Sequence, residues 1–146
     1  MNKEQKNLMN QYVADLAVLN VKYHNLHWNV VGERFEQVHV YLEEQYDDFF
    51  EKYDEVAERL KMLGEYPLAS MTSYLEATKV TEIELRDYQI PEVFAIVKEE
   101  LEKLRTLATN IRNLADENGD FVTVGMLEDH VAGYDKQLWF IDSKLK

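Results

Sequence analysis

Four long stretches of this chain repeat apolar residues three and four positions apart, a spacing that leaves room for little except long amphipathic helices. From Asn2 to about Val31 the stripe is Leu8, Tyr12, Leu16, Leu19, Tyr23, Leu26 and Val30. Gly32 interrupts it. From Arg34 to Leu63 it resumes as Phe35, Val38, Leu42, Tyr46, Phe49, Tyr53, Val56, Leu60 and Leu63. Gly64 suits the left-handed residue that follows a helix, and Pro67 prevents continuation. Pro91 fits the first turn of a third helix carrying Phe94, Val97, Leu101, Leu104, Ala108, Ile111 and Ala115, which Asn118-Gly119 ends. Asp120 or Thr123 can cap a fourth, with Val124, Leu127, Val131, Tyr134, Leu138, Ile141 and Leu145. No alternating stretch of strand length competes.

The first and last links are a few residues long, so each flanking pair of helices forms an antiparallel hairpin. The middle link, from Glu65 to Ile90, is rich in Thr, Ser and Tyr, and a short helix is expected near Ser70 to Ala77. A link this long inside a compact domain needs a reason. The long helices reach ~40 Å, and a connection that crosses back along such a bundle needs many residues. The expectation is an all-α, ferritin-like four-helix bundle in a single domain spanning 1–146, with a short extra helix in the long crossover between helices two and three.

Composition narrows the chemistry. The chain has 28 Asp and Glu against 16 Lys and Arg, a net charge of -12, and no cysteine. Without thiols there are no disulfides, thiolate zinc sites, iron–sulfur clusters or cysteine nucleophiles. The basic residues are scattered, whereas a nucleic-acid groove needs them clustered. No apolar run reaches the ~18 residues of a membrane span, and no apolar segment follows the charged start as in a signal peptide. The expected location is the cytoplasm.

The segment from His24 to Gly64 concentrates the metal-binding residue types. His39 and Glu43 are four apart, and so are Asp54 and Glu58, which puts each pair one turn apart on one helix face. The two pairs are separated by ~22 Å of helix, too far to share an ion. A di-iron centre within one chain needs two Glu-x-x-His motifs. Glu36-x-x-His39 is present, but Leu127 stands where His130 would need an acid. Pairing the second helix with its own copy, antiparallel about a two-fold axis, resolves this. In the register where residue i faces residue 97 − i, His39 meets Glu58 of the partner subunit and Glu43 meets Asp54 of the partner subunit. His27, across the hairpin at Gly32, can approach His39 from the side. Two imidazoles and three carboxylates without sulfur suit Fe(II), Mn(II) or Zn(II), and open positions in an oxygen-rich set favour oxidation of Fe(II) to Fe(III). Taken singly, each residue also reads as an ordinary helix residue or surface charge.

The string His24-Asn-Leu-His27-Trp28-Asn-Val-Val-Gly32, then Phe35-x-x-x-His39-x-x-x-Glu43, then Asp54-Glu55-x-Ala57-Glu58-Arg59 and Leu63-Gly64, resembles the DNA-protection-during-starvation (Dps) family of mini-ferritins. The resemblance implies a hollow dodecameric shell with ferroxidase centres at two-fold interfaces, and ligands matching His27, His39, Glu43, Asp54 and Glu58. Glu43 stands where many members have Asp. Trp28 matches a tryptophan beside the centre that absorbs stray oxidising equivalents; its other reading is packing. The implied chemistry is iron storage with protection from oxidative stress. Fe(II) is oxidised by hydrogen peroxide or dioxygen, one peroxide takes both electrons so that no free hydroxyl radical escapes, and Fe(III) oxide grows inside.

Glu44, Asp47 and Asp48 are candidate nucleation acids. Asp116 and Asp120 are candidate pore acids, although Phe121 and Gly125 stand where other acids are common. No Lys-rich terminal tail is present, so direct DNA binding is not expected despite the family's name. Two readings compete: a nucleoid-associated structural shell, and a helical oligomerisation module without metal chemistry. His24 and His130 receive no ligand role.

Overall fold

Local signals in the sequence set the helix ends. In a computed structural model, which describes residues 2–146, the helices are α1 (Lys3–Asn29), α2 (Phe35–Met62), α3 (Met71–Ala77), α4 (Ile90–Glu117) and α5 (Phe121–Leu145). The Asn2 side chain accepts the Gln5 amide at 3.1 Å and starts α1. Gly64, at φ 85°, ends α2: its amide donates to the Lys61 carbonyl at 3.0 Å and the Glu65 amide to Leu60 at 2.9 Å. The same pair of bonds recurs after α4, from Gly119 to Asp116 at 3.1 Å and from Asp120 to Ala115 at 2.9 Å. Asp120 then caps α5 by accepting the Thr123 amide at 3.2 Å. Ser70 and Ser73 form a reciprocal capping box for α3.

The α1–α2 and α4–α5 hairpins pack as the expected all-α bundle. Met9, Leu16, Leu19, Leu26, Leu42, Phe49, Val56, Leu60, Val97, Leu101, Ala108, Ile111, Leu127 and Ile141 are completely buried between them. Phe35 and Leu145, at the ends of their stripes, are exposed.

α1 is covered on nearly every side, because the crossover lies over its outer face. Four buried polar side chains of α1 hold that segment. Asn10 accepts the Leu68 amide at 2.9 Å, and Asp15 accepts the Thr78 hydroxyl at 2.6 Å and the Lys79 amide at 2.8 Å. Lys22 donates to the Thr81 carbonyl at 2.7 Å, and Asn25 to the Glu84 carbonyl at 3.2 Å. The contacts run from residue 10 to residue 25, ~22 Å along α1, so the long link does cross back along the bundle.

One element differs from the sequence reading. α1 stops at Asn29, and Val30–Val31 (β1) pair in parallel with Tyr88–Gln89 (β2). Two consecutive β-branched residues favour this extended form. The bridge ties the first turn to the end of the crossover, just before α4. Gly32 follows at φ 136°, and a Cβ there would lie 3.0 Å from Ile90 Cδ1. The turn between α1 and α2 therefore needs glycine for its backbone angle and for space.

Candidate metal centre

The tight turn at Gly32 brings the last turn of α1 against the start of α2, and with them His27 against His39. His27 Nδ1 lies 2.6 Å from the His39 carbonyl, and His39 Nδ1 lies 2.7 Å from the His27 carbonyl. The His27 carbonyl sits in the final turn of α1, where main-chain acceptors lack intrahelical donors. The rings stack at 3.6 Å between centroids and 11° between planes. A carbonyl only accepts, so each Nδ1 carries a proton, and an imidazole held this way has its lone pair on Nε2 when neutral. Fixing the tautomer from behind in this way is what a metal-binding imidazole requires. His27 is buried, and burial lowers its pKa; the neighbouring His39 ring lowers it further, against the His39 carbonyl and Glu43. The ring is held neutral, as a ligand must be.

Glu43 lies one turn beyond His39, exposed, with the Tyr46 hydroxyl 3.5 Å from its Oε1. Asp54 and Glu58 are exposed on the far half of α2. His39, Glu43, Asp47, Phe50, Asp54 and Glu58 form one row on that helix, spaced symmetrically about the midpoint between Asp48 and Phe49. The row is open to solvent apart from the half-buried His39, and Phe50 within it is 60% exposed. Among the described residues, no group of three or more His, Asp or Glu is placed to hold an ion. One chain thus brings His27 and His39 together near Glu43, and leaves Asp54 and Glu58 apart from them.

Trp28 is 67% exposed and lies 5.4 Å from the His24 ring. His24 stacks on Tyr46 at 3.7 Å and bonds through Nδ1 to the Asn20 carbonyl at 2.6 Å. Tyr46 in turn meets His27 edge-on at 5.2 Å. His24 and Tyr46 therefore buttress the centre. The one sequence signal for this was their shared place in the His24–Gly64 segment.

The remaining acids differ in availability. Glu44 and Asp47 are exposed, whereas Asp48 is paired with Lys52. Asp116 is exposed, 3.6 Å from Arg112. Asp120 is engaged on every side: it accepts from Gln5 at 2.8 Å, Arg59 at 2.7 Å and the Thr123 hydroxyl at 2.6 Å, besides capping α5. Burial pushes its pKa up, but these hydrogen bonds outweigh burial and hold the carboxyl below its usual range. In this chain Asp120 is a structural carboxylate.

Comparison with known proteins places this geometry. The ferritin-like domain family matches residues 6–146. Antigen TpF1 of Treponema pallidum is 40% identical over 138 residues, covering 94% of this chain and 78% of the antigen. Its crystal structure superposes with a TM-score of 0.96, covering 98% of this chain and 92% of that one. The DNA protection during starvation protein of Helicobacter pylori is 34% identical over 132 residues, 90% of this chain and 92% of the relative. A zinc-soaked structure of Dps from Listeria innocua matches at a TM-score of 0.92 and 33% identity, covering 97% of this chain and 95% of that one. The chain belongs to the Dps family of ferritin-like proteins. Family membership implies iron binding and protection. Among the described residues, no helix is long and apolar enough to cross a membrane.

Proposed function

We propose that this chain is a ferroxidase that binds Fe(II) at sites shared between two subunits, oxidises it with hydrogen peroxide or dioxygen, and stores Fe(III) oxide inside a dodecameric shell in the cytoplasm. The observation that carries the reading is the His27–His39 pair, whose reciprocal bonds leave two Nε2 lone pairs for metal. Glu43 adds a carboxylate from the same chain; Asp54 and Glu58 of the partner subunit complete the set. Zn(II) and Mn(II) suit the same donors and compete with iron. Carboxylates stabilise Fe(III) over Fe(II), which drives oxidation at the site.

Trp28, exposed beside the centre, is placed to quench a stray oxidising equivalent. Glu44 and Asp47 offer exposed carboxylates for nucleation, with Asp48 weakened by Lys52, and Asp116, exposed but 3.6 Å from Arg112, is the remaining candidate pore acid. A net charge of -12 opposes adhesion to DNA, so protection comes from removing iron and peroxide.

The test is anaerobic Fe(II) loading followed by peroxide, comparing wild type with His27→Ala/His39→Ala and checking assembly by sizing. The double variant is expected to assemble and lose rapid oxidation. Oxidation at the wild-type rate would refute the site.

A further inference from the structure

A second polar cluster lies in the bundle interior. Tyr12 of α1 and Tyr134 of α5 are 0% and 1% exposed, with hydroxyl oxygens 2.5 Å apart. The Tyr12 hydroxyl is also 2.9 Å from His130 Nδ1, and His130 Nε2 is 2.5 Å from Glu55 Oε1 on α2. The donors order themselves from the surface inward. The Glu55 carboxylate accepts, so His130 Nε2 carries the proton and Nδ1 is an acceptor. Tyr12 then donates to Nδ1, and Tyr134 donates to the Tyr12 oxygen. Burial lowers the pKa of His130 despite Glu55, which favours the neutral ring. Burial also holds the Tyr12 hydroxyl far above the ordinary phenol range, so the phenol keeps its proton.

A phenol in this setting gives up an electron readily only if its proton leaves at the same time, and the His130 imidazole is a base within hydrogen-bond distance. The Tyr134 hydroxyl steadies the oxygen left behind. Among the described residues, Tyr12 alone has a tyrosine hydroxyl bonded to a histidine. The chain of bonds ends at Glu55, which directly follows Asp54 and lies within one turn of Glu58. It therefore reaches the α2 segment that carries half of the proposed iron site.

We propose that Tyr12 is an auxiliary one-electron donor to that site, with His130 accepting its proton, used when peroxide meets a site holding a single Fe(II). The proposal rests on the ferroxidase reading above. Hydrogen peroxide needs two electrons and two protons to become two waters. Fe(II) supplies one electron and becomes Fe(III). Tyr12 supplies the other: its O–H bond breaks, its proton passes to His130 Nδ1, and a neutral phenoxyl radical remains. Solvent supplies the two protons that end on water. The O–O bond is cleaved without releasing hydroxyl radical.

The experiment uses the assembled wild-type protein carrying ring-deuterated tyrosine and isotopically labelled histidine nitrogen. It is loaded anaerobically with one Fe(II) per proposed site, mixed with equimolar peroxide, freeze-quenched, and examined by electron paramagnetic resonance and electron–nuclear double resonance. The expected signal is a tyrosyl radical, narrowed by ring deuteration and coupled to a histidine nitrogen, and lost in Tyr12→Phe. A tryptophanyl radical alone, a tyrosyl radical without histidine coupling, or an undiminished signal in Tyr12→Phe overturns the proposal. The labelled wild type decides the matter even where the variant folds poorly. A parallel sample with two Fe(II) per site separates the two claims. No Fe(III) formation there defeats the ferroxidase reading, and normal Fe(III) formation without a tyrosyl radical in the first sample defeats this inference alone.

Discussion

His27 and His39 each donate Nδ1–H to the other's main-chain carbonyl, at 2.6 and 2.7 Å, so two helices fix each other's imidazole tautomers. Because the acceptors are main-chain atoms, His39→Ala removes one ring but leaves the carbonyl that orients His27, and the converse holds for His27→Ala. Each single variant is expected to stay assembled and to weaken Fe(II) binding by more than the ~10–100-fold that loss of an outer-shell partner costs. Anaerobic titration calorimetry measures this. Unchanged affinity in both would remove the pair from the site.

Gly32 makes that meeting possible. Gly32→Ala meets both a φ of 136° and a contact at 3.0 Å with Ile90, whereas Gly64→Ala meets a φ of 85° with nothing within 4 Å. Gly64→Ala is expected to cost about 1–2 kcal/mol, from conformation alone. Gly32→Ala is expected to cost more and also to weaken metal binding. Equal losses of Tm, with Fe(II) affinity intact in both, would mean that the turn does not position the histidines.

Lys22 and Glu100 form a buried pair at 3.4 Å, their side chains 6% and 4% exposed. Lys22→Met strands the Glu100 carboxylate and is expected to cost about 3–5 kcal/mol. Lys22→Met/Glu100→Leu is expected to regain most of that loss. Thermal melts at one protein concentration check both, since assembly makes stability depend on concentration. A double variant as unstable as the single would place the cost in the lost Lys22 bond to Thr81.

Asp120 links stability to acid. Its folded pKa is depressed below the unfolded value of ~3.9. Its contribution is therefore complete above that value and is lost as pH falls through the folded pKa. Wild type is expected to lose stability below about pH 4 more steeply than Asp120→Asn, which is less stable from the start by about 2–4 kcal/mol. Parallel stability–pH curves for the two proteins would contradict this.

The helices were legible because burial on one face leaves a period in the chain, and the stripe from Phe94 to Ala115 is buried throughout. Helical spacing carries Val30 and Val31 into the first helix, whereas the structure pairs them with Tyr88 and Gln89, 58 residues away, a partnership that local spacing does not reveal. The approach of His27 to His39 could be read from a spacing of 12 around a glycine. Their reciprocal carbonyl bonds could not, since main-chain acceptors carry no residue signature. The same holds for Asn10, Asp15, Lys22 and Asn25, which look like interruptions of an amphipathic helix until the crossover lies over them. His130 had no visible role because Tyr12 and Glu55 are 118 and 75 residues distant. Asp120 was recognisable as a cap, but not as the partner of Arg59 and Gln5.

Subunit complementation tests the shared site most directly. One chain carries His27→Ala/His39→Ala, the other Asp54→Ala/Glu58→Ala, and neither has a complete set of donors. In a mixed dimer, one of the two sites combines the intact histidines of one chain with the intact acids of the other. Random co-assembly is expected to restore peroxide-driven Fe(II) oxidation to about a quarter of the wild-type level, while each variant alone stays inactive. Mixed assemblies that remain as inactive as the separate variants would contradict a centre shared between two subunits.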